Sequence, residues 1–244
     1  MLQKTKGLVL RSVKYGETSL ITTIFTETSG VQSFMVQGVR STKSRANRAG
    51  AFQPGTLLDM VIYQQPGKNL QRIKEYQAAY FYSSMHEEVV KNSIALFSIE
   101  ILLRLLPEHA PLPALFAFVY NYFTSLDLLP VKNTANFPLY FIIHCSREFG
   151  VEPYGYYSTQ TPYLNLEDGG FTEHVPAVAT TVTDEDTRAL DQLLRITDMA
   201  ALQSVSLNAD IRLRLIDWYV AYMQKHTQHM GNIRSLGILR TILH

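Results

Sequence analysis

The feature that most limits what this chain can fold into is a change in its hydrophobic period near Ser83. Before that point, short apolar and β-branched runs recur at Leu8–Val13, Ser19–Phe25, Val31–Val39, Leu57–Tyr63 and Leu70–Tyr80. Turn residues separate them: Tyr15-Gly16-Glu17, Thr28-Ser29-Gly30 and Pro66-Gly67-Lys68-Asn69. Runs of this length between such punctuation read as strands. Gly30 has no Cβ and can take the positive φ that a hairpin turn needs. Residues 41–55 show no apolar period and read as a long loop between the third and fourth strands. Five strands with one long connection fit a five-stranded OB barrel, because closing the sheet removes its two open edges. An SH3-like barrel satisfies the strand pattern equally well.

Beyond Ser83 the period is that of a helix. Ser84-x-x-Glu87 matches a capping box, and Val90, Ile94, Phe97, Ile101 and Leu105 then form one apolar stripe that Pro107 ends. Further helices are expected from Pro113 to Leu126, from Asn136 to Phe149, from Thr183 (N-cap pattern Thr-x-x-Asp186), after Asn208, and over Leu236–Leu243. The helix carrying Phe116, Phe118, Tyr120, Tyr122 and Phe123 is apolar nearly all round, which suits a core or a groove for a peptide. Between Val151 and Val182 the period breaks, and Tyr163–Phe171 reads as a small hairpin. The expected class is α+β: an OB-fold nucleic-acid-binding domain over residues 1–80, then an α-helical domain over 81–244 with a loop-and-hairpin insertion at 151–182.

The net charge of +1 conceals an uneven distribution. Residues 1–75 hold eleven Lys/Arg and four Asp/Glu, a balance of +7, while residues 76–244 hold eleven and seventeen, a balance of −6. Arg40, Lys43, Arg45 and Arg48 fall within nine residues, and no acid lies between Glu27 and Asp59. Converging cations without competing carboxylates are what phosphate binding requires. Tyr15, Phe34, Phe52 and Tyr63 are available to stack bases, though each serves equally well as barrel core. The acidic helical half is the better place for protein partners, and Arg104, Arg147, Arg212 and Arg214 on its helices are the cations from which a partner site could draw.

Constellations for catalysis are missing. The sequence has no Gly-rich phosphate loop, no G-x-S-x-G and no H-E-x-x-H. Its single cysteine, Cys145, excludes an intrachain disulfide and a four-cysteine zinc site. His144 and Cys145 are adjacent and point to different helix faces, so they do not converge as a nucleophile pair. His226-x-x-His229 lacks a completing ligand pattern. No catalytic residue, cofactor or metal is expected. The opening MLQKTKGLVLRSVKYGE is too charged for a secretory signal, and no stretch reaches the roughly 18 apolar residues of a membrane span. A cytoplasmic, nucleoid-associated protein is expected.

Lys4-Thr5-x-Gly7-Leu8-Val9-Leu10-Arg11, Tyr15-Gly16-Glu17-x-Ser19-Leu20-Ile21, Phe25-Thr26-x-x-x-Gly30, Gly38-Val39-Arg40, Ser44-Arg45 and Phe52-Gln53-Pro54 together resemble RecO, the bacterial recombination mediator family. The likeness returns at Glu100-x-x-x-Arg104-x-Leu106-Pro107-Glu108 and in the segment Arg214 to Leu243. It implies an N-terminal OB domain and a C-terminal helical domain. It also implies binding of single- and double-stranded DNA, strand annealing, and loading of RecA together with RecR onto DNA covered by single-stranded-DNA-binding protein, whose C-terminal tail is a partner. By this likeness and the charge pattern, Lys6, Arg11, Arg40, Lys43, Arg45 and Arg48 are the candidate DNA contacts. An OB-fold RNA-binding factor is the alternative. One departure stands out: many members carry four zinc-binding cysteines in the segment that here runs from Val151 to Val182, and this chain has none there. Packing of Tyr156, Tyr157, Tyr163 and Phe171 is expected to replace the metal.

Overall fold

A computed structural model describes residues 1–39, 48–65, 67–176 and 182–243. The strands are β1 (Leu2–Tyr15), β2 (Ser19–Thr26), β3 (Gly30–Val36), β4 (Leu57–Tyr63), β5 (Leu70–Ala78), β6 (Tyr163–Asn165) and β7 (Gly170–Thr172). The helices are α1 (Val89–Leu105), α2 (Pro113–Leu128), α3 (Phe137–Glu148), α4 (Asp184–Leu194), α5 (Met199–Leu202), α6 (Ala209–His226) and α7 (Ser235–Ile242). The chain divides into two compact units that do not follow chain order. The first joins Met1–Met85 to Leu106–Asp127, and the second joins His86–Leu105 to Leu128–His244.

In the first unit the strands close into a barrel in the order β1-β2-β3-β5-β4. All neighbours are antiparallel except β3 and β5, which run parallel and shut the barrel. This is the OB arrangement. β1 is longer than its apolar run because its first half pairs with β4 and its second with β2. A bulge between Val9 and Arg11 bends the strand where it changes partner. Gly7 lies where the walls come closest: a Cβ there would stand 2.6 Å from both Ile24 and Met60 side chains. Val9, Leu20, Ile24, Phe34, Val36, Leu58, Met60 and Ile62 fill the interior. The long loop contributes a short 3-10 helix, Arg48–Phe52, that drops Phe52 into this core edge-on to Tyr76.

The aromatic helix α2 packs on the barrel. Phe116 meets Phe25 edge-on at 5.3 Å, and the Tyr120 hydroxyl donates to the Ala79 carbonyl. The approach to α2 crosses the start of β3: the His109 N–H donates to Val31, and a Cβ on Gly30 would stand 2.2 Å from the Ala110 carbonyl oxygen. Gly30 is therefore fixed by close approach as well as by its φ of +67°. At the far end, buried Asp127 accepts the N–H groups of Ser83, Ser84 and Met85 and the hydroxyls of Ser83, Ser84 and Tyr80. The expected capping box at Ser84 therefore does not form. Its hydroxyl turns to Asp127, and α1 begins at Val89.

In the second unit α1, α3, α6 and α7 share a core that includes Ile94, Phe97, Ile101, Phe141, Leu215, Tyr219 and Leu239. The Thr183 cap is reciprocal, as its pattern suggests: the hydroxyl accepts the Asp186 N–H and the Asp186 carboxylate accepts the Thr183 N–H. Asp186 is fully buried, and Arg214 of α6 closes on it at 2.8 Å. The hairpin β6–β7 stands where expected, but its packing corrects the expectation. Phe171 is buried as expected and Tyr157 is half-buried, but Tyr156 and Tyr163 are exposed, and Leu164 is buried beside Phe171 instead. A three-residue strand has one inward position per partner, and the pairing Leu164–Phe171 fills both. Tyr222, stacked on Trp218 at 5.2 Å, donates to Val151, and His226 bonds the Leu166 carbonyl, so α6 holds the insertion. Cys145 is wholly buried and its thiol is pushed up by burial, in keeping with a core residue. No described helix is long and apolar enough to cross a membrane.

Burial alone would raise the Asp127 carboxyl, but the N–H groups of Ser83, Ser84 and Met85 outweigh it and hold it well below the usual carboxylate range. A depressed folded pKa gives stability that is present above the unfolded value of about 3.9 and is lost as pH falls below it. Asp127→Asn should cost ~2–3 kcal/mol in urea unfolding at pH 7, because an amide turns donors toward donors. It should also flatten the acid limb of the stability profile. Arg214→Ala should cost ~3–5 kcal/mol by leaving Asp186 buried and unpaired, with Arg214→Lys recovering part of the loss.

Candidate nucleic-acid interface

Strand register decides which side chains share the barrel's outer wall, because paired residues point the same way. Three rows run across β1, β2 and β3. The first, Leu8–Phe25–Val31, is buried, with Phe116 of α2 packed on Phe25. The second is Arg11–Thr23–Ser33. The third is Val13–Ile21–Met35, and it continues through the parallel pairing to Arg72 of β5 and on to Tyr63 of β4. Tyr15 and Ser19 lie beyond it at the rim.

The second and third rows form an open surface of mixed character. Arg11, Lys14, Lys68 and Arg72 are exposed on or beside it, and none has an ion-pair partner among the described residues. Tyr15 is 52% and Tyr63 40% exposed, whereas Phe34 and Phe52 are inside the barrel. Of the four aromatics that could stack bases, the fold therefore offers two to a ligand. Met35, Tyr63, Gln65, Lys68, Gln71 and Arg72 line a concavity of about 450 Å3 on this wall.

The opposite wall differs. Its concavity is larger, about 620 Å3, but Glu27, Asp59 and Glu75 line it along with Lys4 and Lys6. Lys6 bonds Asp59 at 2.7 Å, which raises its pKa, and its ammonium lies 5.6 Å from the Tyr120 ring. Lys74 pairs with its neighbour Glu75. A wall with this many carboxylates cancels the attraction a phosphate backbone needs.

Of the residues singled out from sequence, Arg11 lies on the open basic wall and Lys6 on the balanced one. Arg48 begins the 3-10 helix, and Arg40, Lys43 and Arg45 lie outside the described residues. Sequence reasoning left Lys14, Lys68 and Arg72 out of the site. For Arg72 the only signal is its pairing beside Met35, which requires the parallel β3–β5 closure. Among the four helical arginines, Arg147 bonds Glu152 and the Ile196 carbonyl, Arg212 bonds Asn136 and the Leu207 carbonyl, and Arg214 bonds Asp186. Among the described residues Arg104 makes only a 4.0 Å approach to Glu100 and a 3.3 Å bond to the Asn232 carbonyl.

The family model described as Recombination protein O N terminal matches residues 1–82, and that described as Recombination protein O C terminal matches residues 86–236. A DNA repair protein RecO from Bacteroides fragilis is 30% identical over 243 residues, with 99% of each chain covered. Proteins of the same name from Phocaeicola vulgatus and Christiangramia forsetii are 29% and 27% identical over 242 residues, again with 99% of each chain covered. With both halves of the fold matched in order and along nearly their full length, the chain belongs to the RecO family of DNA repair proteins.

Proposed function

We propose that this protein is a non-catalytic mediator of DNA repair and homologous recombination. It binds single- and double-stranded DNA on the open wall of the barrel, anneals complementary strands, and acts with RecR to load RecA onto DNA covered by single-stranded-DNA-binding protein. The observation that carries this reading is the row Val13–Ile21–Met35–Arg72–Tyr63, which sets a cation, Arg72, beside an exposed aromatic, Tyr63, on the wall that also exposes Arg11. Cations neutralise the backbone without reading sequence, and aromatic faces accept any base. Arg11, Lys14, Lys68 and Arg72 make the wall's phosphate contacts, and Arg40, Lys43, Arg45 and Arg48, chosen from the charge pattern of the sequence, are further DNA contacts. Two strands repel each other, and a surface that neutralises both lowers the barrier to their pairing. The work is done in the cytoplasm, on nucleoid DNA.

The acidic, apolar tail of single-stranded-DNA-binding protein needs apolar contact beside an available cation. Arg104 on α1 meets that need better than the other three arginines, because Leu96 and Leu103 on the same helix are exposed. Arg104→Glu should weaken binding of a fluorescent tail peptide about tenfold or more while leaving DNA affinity unchanged. Equal peptide affinity in the variant would move the site elsewhere.

The DNA reading is tested by the salt dependence of binding to a short single strand. Removing Arg11, Lys68 and Arg72 together (each to Ala) should flatten the slope by about 2 units, at roughly 0.7 per lost phosphate contact. Lys4→Ala with Lys6→Ala on the balanced wall should leave the slope nearly unchanged. The reverse pattern would contradict the assignment of the wall, and equal competition by an RNA of the same length would favour an RNA-binding role.

A further inference from the structure

A second concavity, of about 410 Å3, opens at the end of the barrel where β3 begins and β4 hands over to β5. That is the size of a small-ligand site. Its lining is unusual: Gln32, Gln64, Gln65, Asn69 and Gln71 supply amides, and among the described residues no carboxylate faces it. The walls are held in place. The Gln71 amide donates both its N–H groups, to the Gln65 and Lys68 carbonyls, and accepts the Gln65 N–H, which fixes the β4–β5 connection. The Gln64 backbone is bonded in both directions to Met1. His109 on the rim is held at φ +58°, the one positive value at a non-glycine among the described residues. Strain of this kind gathers at binding sites.

Gln32 is different. It is only 3% exposed, it points inward from β3 beside Phe34, and its side-chain carbonyl oxygen is buried without a hydrogen-bond partner among the described residues. The same is true of the Gln64 side-chain oxygen. Two buried acceptors without donors are costly to keep unless something supplies N–H groups. A cation is disfavoured by the missing carboxylates. An apolar side chain is disfavoured because Pro111 is the one apolar side chain among the described lining residues. Gln65, Lys68 and Gln71 line both this pocket and the concavity on the basic wall, so the two adjoin.

We infer that this pocket receives an unpaired nucleobase carrying an exocyclic amino group, turned in from a single strand that lies on the basic wall. This rests on the nucleic-acid reading given above. Amides pair with base edges, and adenine, cytosine and guanine present an amino group where thymine presents oxygen. A base in a duplex is stacked and paired and cannot turn into the pocket, so the pocket serves single strands only. It gives the site a composition preference that electrostatics alone does not supply.

The test compares 20-nucleotide oligo-dC and oligo-dT, pyrimidines of equal charge, on the full chain at fixed salt. The wild type should bind oligo-dC about three- to tenfold more tightly, the worth of one or two hydrogen bonds. Gln32→Leu should bring the ratio near one while leaving oligo-dT affinity unchanged. If Gln32→Leu fails to fold, Gln64→Leu, which keeps the backbone bonds to Met1, should lower the ratio in the same way. Equal binding of the two oligonucleotides by the wild type, or a ratio unchanged in the folded variant, overturns the pocket and leaves the wall assignment standing. Failure to bind either oligonucleotide overturns both.

Discussion

The parallel pairing of β3 with β5 is the contact on which the first unit depends. Without it the sheet has two open edges, and β5 is free to pair in other registers. With it, Met35 stands beside Arg72 and Arg72 beside Tyr63, so a cation from late in the barrel joins residues from its first strands. The concavity on the basic wall and the amide pocket both border this seam, since Gln71, the neighbour of Arg72, points the other way and ties the β4–β5 connection to it. One closure thus builds the core, the wall and the pocket.

Charge is then sorted by wall rather than by domain alone. The barrel's surplus of cations is neutralised on one side by Asp59, Glu27 and Glu75 and left open on the other. Helix α2 removes a third region from consideration by burying the row around Phe25. Asp127 secures that arrangement by gathering the chain that leaves β5, so the helix that covers the barrel also fixes where the barrel ends.

Much of this was legible in the sequence, for physical reasons. Strands and helices differ in hydrophobic period, so the change near Ser83 separated barrel from helices. Gly30 and Thr183 announced their turn and cap through local chemistry, which needs no tertiary knowledge. What failed to show was long-range. Ser84 has the spacing of a capping box, yet a carboxylate forty-three residues away takes its hydroxyl. Tyr156 and Tyr163 have the composition of a small core, but a hairpin with three-residue strands buries only Leu164 and Phe171. Lys6 and Arg11 look alike in sequence, and only the register shows that one faces Asp59 and the other open solvent. Nothing local marks α2 as part of the barrel unit, because an all-round apolar helix can complete any core.

The proposed function requires DNA to lie across the wall formed by β1, β2, β3, β5 and the end of β4. Photocrosslinking of the full chain to a single strand containing 5-iodouracil, followed by mapping of the modified peptides, tests it most directly. Adducts are expected at Tyr15 and Tyr63, the exposed aromatics of that wall. Adducts confined to Tyr76 on the opposite wall, or to the exposed Tyr154 and Tyr156 of the helical unit, would contradict it.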